Sequence, residues 1–192
     1  MIIKSFEINK IELDKHKFIL LYGKNDGLKA EITNVLLKDK INIKKYEEKD
    51  ILDNSDIFIE NIISNSLFEN EKIIIIKRVT DKLIKIVDEI LTKNIEDVRI
   101  IFNAGILEKK SKIRALFEKN KYFACVPFYP DTDQTLFKLC NEFLKKKEIS
   151  ISPSNINLIV NKCNGDRKKL SNELQKIEYF CKNGKKLQQK VY

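Results

Sequence analysis

Four consecutive isoleucines, Ile73–Ile76, limit what this chain can become more than any other stretch. β-branched residues in an unbroken run fit a strand that is buried on both faces, as in the middle of a parallel sheet. The run is preceded by Ser64-Asn65-Ser66, two large apolar residues, Leu67 and Phe68, and then Glu69-Asn70-Glu71, and it is followed by Lys77-Arg78. The polar surroundings place Leu67 and Phe68 at the tip of a helix–strand connection. Two readings are open at this point. Both side chains fold back to cap the core, or they stand out as an apolar wedge for a partner.

Around that strand the chain alternates. Phe18–Tyr22 reads as a strand, Gly23 to Gly27 as a turn, and Leu28–Leu37 as a helix with Leu28, Ile32, Val35 and Leu36 on one face. Lys40–Tyr46 is a polar-flanked strand near a sheet edge. Asp53-Asn54-Ser55 supplies capping residues for a helix that carries Phe58, Ile59, Ile62 and Ile63. After the isoleucine strand come a helix over Leu83–Leu91, a strand over Val98–Phe102, a helix over Ser111–Lys119 and a strand over Tyr122–Phe128. Alternation at this spacing predicts a doubly wound parallel α/β sheet. Residues Met1–His16 form a lead-in of undetermined type.

Beyond Pro130 the period is helical throughout. Leu136, Leu139, Cys140, Phe143 and Leu144 share one face, and Pro153 opens a helix with Ile156, Ile159 and Val160 inward. Asn164-Gly165-Asp166 is a turn and cap before a helix that carries Leu170, Leu174, Ile177 and Phe180. The expected organisation is an α/β domain over 1–130 and a small helical domain over 131–192.

Several function classes lose support. No apolar run approaches the roughly 20 residues of a membrane span. Neither a signal core nor a CxxC pair is present, and His16 is the only histidine, so secretion and a Cys/His zinc site are not expected. Cys125, Cys140, Cys163 and Cys181 read as reduced thiols of a cytoplasmic protein. One histidine and scattered carboxylates assemble no catalytic triad. The formal net charge of +9 is spread over short lysine clusters, which fits solvated helix faces better than one nucleic-acid track.

The glycine turn invites comparison with a phosphate loop, G-x-x-x-x-G-K-[ST]. Its glycines bring backbone N–H groups to the phosphates, its lysine meets the β/γ charge, and its hydroxyl holds Mg²⁺. Counted from Gly23, Lys29 is in register, but Leu28 replaces the second glycine, Gly27 arrives one residue early, and Ala30 offers no oxygen. The acid expected at the end of a buried strand is replaced by Lys77-Arg78. The expectation is a P-loop-like fold whose loop residues Gly23, Gly27 and Lys29 hold no nucleotide, with no other cofactor.

With these residues in view, the chain resembles the delta subunit of bacterial DNA polymerase III, the clamp-opening subunit of the clamp loader. The resemblance lies in FILLYGKNDGLKAEI (Phe18–Ile32), SLFENEKIIIIKR (Ser66–Arg78), RIIFNAGILEKKSKIRALFEKN (Arg99–Asn120), ACVPFYPDTDQTL (Ala124–Leu136) and NGDRKKLSNELQKIEYF (Asn164–Phe180). The third and fourth stretches look most like alphaproteobacterial members. The resemblance implies an AAA+-like first domain without ATPase activity and a helical lid domain. It implies a role in DNA replication as a subunit of the polymerase holoenzyme, with no catalytic site of its own. Partners would be the beta sliding clamp, the gamma/tau and delta prime subunits, and DNA within the assembled complex. It makes Leu67 and Phe68, with Ser66 beside them, the clamp-binding wedge. Burying a Leu and a Phe is worth about 1.5–3 kcal/mol each, and ring opening needs only a clamp protomer held in a shape that no longer closes. Family members carry a third, collar domain, which would begin where this sequence ends at Tyr192. The rival functions are an active P-loop ATPase and a basic DNA-binding module.

Overall fold

In the computed structural model, residues 1–13, 15–38, 40–65, 72–93 and 98–182 are described. Five parallel strands form one sheet in the order β2-β3-β4-β1-β5: β1 (Phe18–Gly23), β2 (Ile43–Glu47), β3 (Lys72–Val79), β4 (Val98–Ala104) and β5 (Phe123–Phe128). The isoleucine strand is interior, between β2 and β4. All four isoleucines, 73–76, are at most 4% exposed, as a strand dry on both faces requires.

The register shows how the faces are made. Tyr46, Ile76, Phe102, Leu20 and Cys125 form one row across all five strands. That face carries the main hydrophobic core, joined by residues of α2 (Glu48–Asp53), α3 (Ser55–Asn65), α4 (Ile84–Thr92) and α5 (Lys112–Lys119). Phe102 lies at its centre, edge-on to Phe18 (centroids 5.8 Å) and to Phe117 (5.2 Å). On the opposite face Ile19, Leu21, Ile73, Ile75 and Ile101 are equally dry.

α1 (Asp26–Leu36) departs from the expected face. Its buried residues are Lys29 and Ile32, whereas Val35 is 61% exposed. The inward stripe is rotated because the helix buries the stem and amine of a lysine where an apolar side chain was expected. In α3, Phe58, Ile59 and Ile62 are buried, and Ile63 is 37% exposed. α2 has no counterpart in the sequence reading, because the six residues EKDILD are mostly polar. It is fixed by tertiary bonds: the buried Glu48 carboxylate accepts from the Thr80 N–H (2.6 Å) and from the Thr80 hydroxyl (2.9 Å).

The two sheet edges differ. Along β5, the N–H of Ile3 donates to the Cys125 carbonyl and the Cys125 N–H to the Met1 carbonyl, each at 2.9 Å. The lead-in, which also contains a 3₁₀ turn at Ser5–Lys10, thus covers that edge. At the other edge β2 is exposed and presents Lys44 and Lys45.

The chain divides into two compact units, one of Met1–Lys24 with Lys29–Phe128 and the other of Asn25–Leu28 with Tyr129–Tyr192. The second contains α6 (Asp133–Lys146), α7 (Pro153–Cys163) and α8 (Arg167–Lys182). Leu136, Cys140, Leu144, Ile156, Val160, Cys163, Leu170 and Leu174 form its core. Thr132 and Ser152 cap α6 and α7 through N–H groups three residues on, and Pro153 stands at the first turn of α7. α7 stops at Asn164, whose φ of 49° is left-handed. Among the described residues no helix is long and apolar enough to cross a membrane.

Replacing Phe102 with Ala should remove the centre of the aromatic cluster and leave a cavity, at a cost of about 3–5 kcal/mol. A loss of unfolding free energy, read from denaturant titration, of less than a third of that would show that the core is not organised around this ring.

Candidate functional site

Doubly wound sheets hold ligands outside the C-terminal ends of their strands, so the residues leaving β1, β3 and β4 are the first place to look for a site.

Within the α/β unit, Gly23 and Lys29 converge on the end of β4. The Gly23 N–H donates to the Gly105 carbonyl (2.8 Å), and the Lys29 Nζ donates to the Ala104 carbonyl (2.6 Å). Lys29 is 1% exposed. Gly23 has a φ of +126°, and a Cβ there would lie 2.1 Å from the Phe128 carbonyl oxygen. Its lack of a side chain is required by the neighbouring strand.

Gly27 belongs to the other unit. A Cβ on it would come within 2.8 Å of the Lys168 backbone nitrogen and 3.1 Å of the Arg167 Cβ. Beside it the first turn of α1 is capped internally: Asn25 Oδ1 accepts from the Leu28 N–H (3.0 Å). The Asn25 amide donates to the Tyr129 carbonyl (3.0 Å) and to Asp131 (2.9 Å). Asp131 is in turn gripped by Arg167 in a two-pronged pair, Nε at 2.9 Å and Nη2 at 2.7 Å, with both side chains largely buried. Sequence reasoning did not single out Asn25, Asp131 or Arg167. The available signals were the polar residue before α1 and the arginine that follows the Asn164-Gly165-Asp166 turn.

At the end of β3 the ladder is irregular between Lys77 and Val79, and Arg78 takes a left-handed φ of 57°. The bulge turns Arg78 outward, where its Nε meets Glu47 at 2.8 Å, and Lys77 lies 3.9 Å from the same carboxylate. A cavity of about 670 Å³ opens beyond β3 and β4, with Arg78, Thr80, Asp81, Gly105, Leu107 and Ser111 in its wall. Asp81 is committed within it. Its Oδ1 accepts from the Ser111 hydroxyl (2.7 Å) and the Ile113 N–H (3.0 Å), which ties the start of α4 to the start of α5.

Among the described residues no group of three His, Cys, Asp or Glu side chains could hold a metal ion. Burial pushes the Cys125 thiol up to about 12 and the Cys140 thiol to about 11, so both are protonated core residues at neutral pH. Ser66, Leu67 and Phe68 lie outside the described residues.

No protein-family model and no curated protein sequence matches the chain. Solved structures do resemble it. The Bacillus subtilis DNA clamp loader delta protein has a TM-score of 0.53 at 16% identity, over 92% of this chain and 57% of that one. Domain III of the Thermotoga maritima replication initiation protein DnaA has a TM-score of 0.55 at 12% identity, over 96% of this chain and 84% of that one. The Thermotoga maritima RuvB Holliday junction branch migration motor has a TM-score of 0.54 at 12% identity, over 88% and 56%. This chain therefore spans little more than half the length of the Bacillus subtilis protein. At these identities the likeness is one of fold: a parallel five-stranded α/β sheet followed by a helical unit.

Asp81 gives the sheet edge a pH dependence. Burial raises its carboxyl pKa, but hydrogen bonds from Ser111 and from the Ile113 and Lys112 N–H groups outweigh this and hold it below the usual aspartate range. The folded-state value is thus below the unfolded one, near 3.9. The stabilisation is complete above that pH and is lost as pH falls through the folded-state value. Asp81→Asn should lower stability by about 1 kcal/mol at pH 6, and the gap to the native protein should close as the pH falls through the folded-state value of Asp81. A gap that stays constant from pH 6 to pH 3 would show that the carboxylate's charge contributes nothing.

Proposed function

We propose that this chain is the AAA+-like part of a delta-type clamp-loader subunit that takes part in DNA replication through protein contacts and does not turn over nucleotide. It binds the beta sliding clamp through the apolar pair Leu67 and Phe68, with Ser66 beside them, and favours the opened ring by differential affinity. The gamma/tau and delta prime subunits are its partners in a cytoplasmic loader, where the assembled complex meets DNA.

The observation that carries the reading is the position of Lys29. A P-loop lysine must deliver its ammonium to the β- and γ-phosphates. Here the amine is fully buried and bonded to the Ala104 carbonyl. Three further features agree with it. Backbone of α8 lies against Gly27, Ala30 cannot ligate Mg²⁺, and basic Lys77 and Arg78 stand where a metal-orienting acid would be needed. These residues do not fit a magnesium–nucleoside triphosphate group. The fold shared with a protein described as a clamp loader delta protein supports the choice of partner.

The test is binding of the chain to the sliding clamp of the same organism, with the Leu67→Ala/Phe68→Ala variant alongside. The double variant should remain folded and bind about 100-fold more weakly or worse. Equal binding by both proteins would remove the wedge, and no binding by either would remove the clamp-opening function. In parallel, magnesium and ATP together should leave the melting temperature unchanged, and a saturable upward shift would restore the ATPase reading.

A further inference from the structure

The helical unit carries a basic groove that neither its own core nor clamp binding accounts for. It lies along α8 beside the last turn of α7, has a volume of about 580 Å³, and presents Lys162, Lys169 and Lys176 together with Asn172, Gln175 and Tyr179. The inward residues of α8, Leu170 and Leu174, are 2–3% exposed, so this face is left over after the fold is satisfied. Lys169 and Lys176 lie two turns apart, roughly 10 Å along the axis, and Lys162 stands across from them on α7. Among the described residues the side chains of Lys162 and Lys169 make no ion pair. Among the described residues that line the groove the one acid is Glu173, which is engaged by Lys176 at 2.8 Å. Tyr179, 68% exposed, closes one end with its ring in solvent.

We infer that this groove is a track for a single nucleic-acid strand. The lysines from two helices supply phosphate contacts, Asn172 and Gln175 offer amide donors and acceptors to sugar or base edges, and Tyr179 offers a face on which a base stacks. Three ammonium groups, those of Lys162 and Lys169 without an ion pair among the described residues and that of Lys176 shared with Glu173, together with polar amides and an exposed aromatic ring, are the chemistry by which proteins hold unpaired strands. An acidic protein segment would need apolar anchors, and among the described residues that line this groove Tyr179 is the sole large apolar side chain. The site rests on the helical unit alone, so it stands or falls independently of clamp binding.

The test uses the whole chain and fluorescence anisotropy with a labelled 20-nucleotide oligo(dT) strand, its oligo(rU) equivalent and a duplex of the same length. The Lys162→Gln/Lys169→Gln/Lys176→Gln variant should bind the single strand about 10-fold or more weakly at low salt. Its slope of log affinity against log salt should be shallower by about 2. Tyr179→Ala should cost about 5-fold or more for the single strand and leave the duplex unaffected. A matched triple variant on the α/β unit, Lys109→Gln/Lys110→Gln/Lys112→Gln, should bind nearly as the native chain does, and all variants should keep the native melting temperature. Preference for the DNA or the RNA strand would identify which nucleic acid occupies the groove. Three outcomes overturn the inference: equal losses in the two triple variants, a duplex bound as tightly as the single strand, or displacement by poly-glutamate as effective as by oligo(dT).

Discussion

A strand made of consecutive isoleucines is stable only where both of its faces are dry, and that condition governs the α/β unit. It forces β3 into the sheet interior, so β2 and β4 must flank it, and both faces must be covered. The same condition explains where charge enters the unit. The strand turns polar at Lys77, at the sheet's C-terminal edge, and a bulge with Arg78 in a left-handed conformation carries both cations out of the core. Glu47, from the neighbouring strand, meets them there.

Much of this was legible in the amino-acid sequence because it depends on period. Four of the five strands were marked by apolar runs between turns, and the three helices after Pro130 by a clean 3.6-residue repeat. The polar flanks of Lys44 and Lys45 correctly placed β2 at an edge. Where hydrophobicity gave no signal, the reading stopped. α2 is held by the bonds of Glu48 to Thr80, a contact between residues 32 apart, and no local pattern announces it. The sequence pattern turns Leu28, Ile32, Val35 and Leu36 of α1 inward; Ile32 is buried, but Val35 is exposed and the other buried position goes to Lys29, because a buried amine with a carbonyl partner has no hydrophobic signature.

The loop after β1 shows the same division. That Leu28 and Ala30 break the phosphate-binding pattern is visible by counting. That Gly23 is glycine because Phe128 lies against it, and Gly27 because Lys168 does, can be learned only from tertiary structure. The network of Asn25, Asp131 and Arg167 joins residues more than a hundred positions apart. Its members look like ordinary turn and cap residues until they are seen together. Removing one partner of such a buried pair strands the other, so the three positions constrain one another far more than any local rule suggests.

The treatment of the sheet edges bears on how this protein behaves at high concentration. A parallel sheet has two rows of unpaired backbone groups, and either can template the addition of a second chain. One row here is occupied from within, by residues 1–3 along Cys125. The other is guarded by two adjacent lysines on β2. A second copy approaching in register would bring like charges together before any hydrogen bond formed. Stacking of copies into a continuous cross-strand assembly is therefore opposed at both ends of the sheet, by steric occupancy at one and by charge at the other.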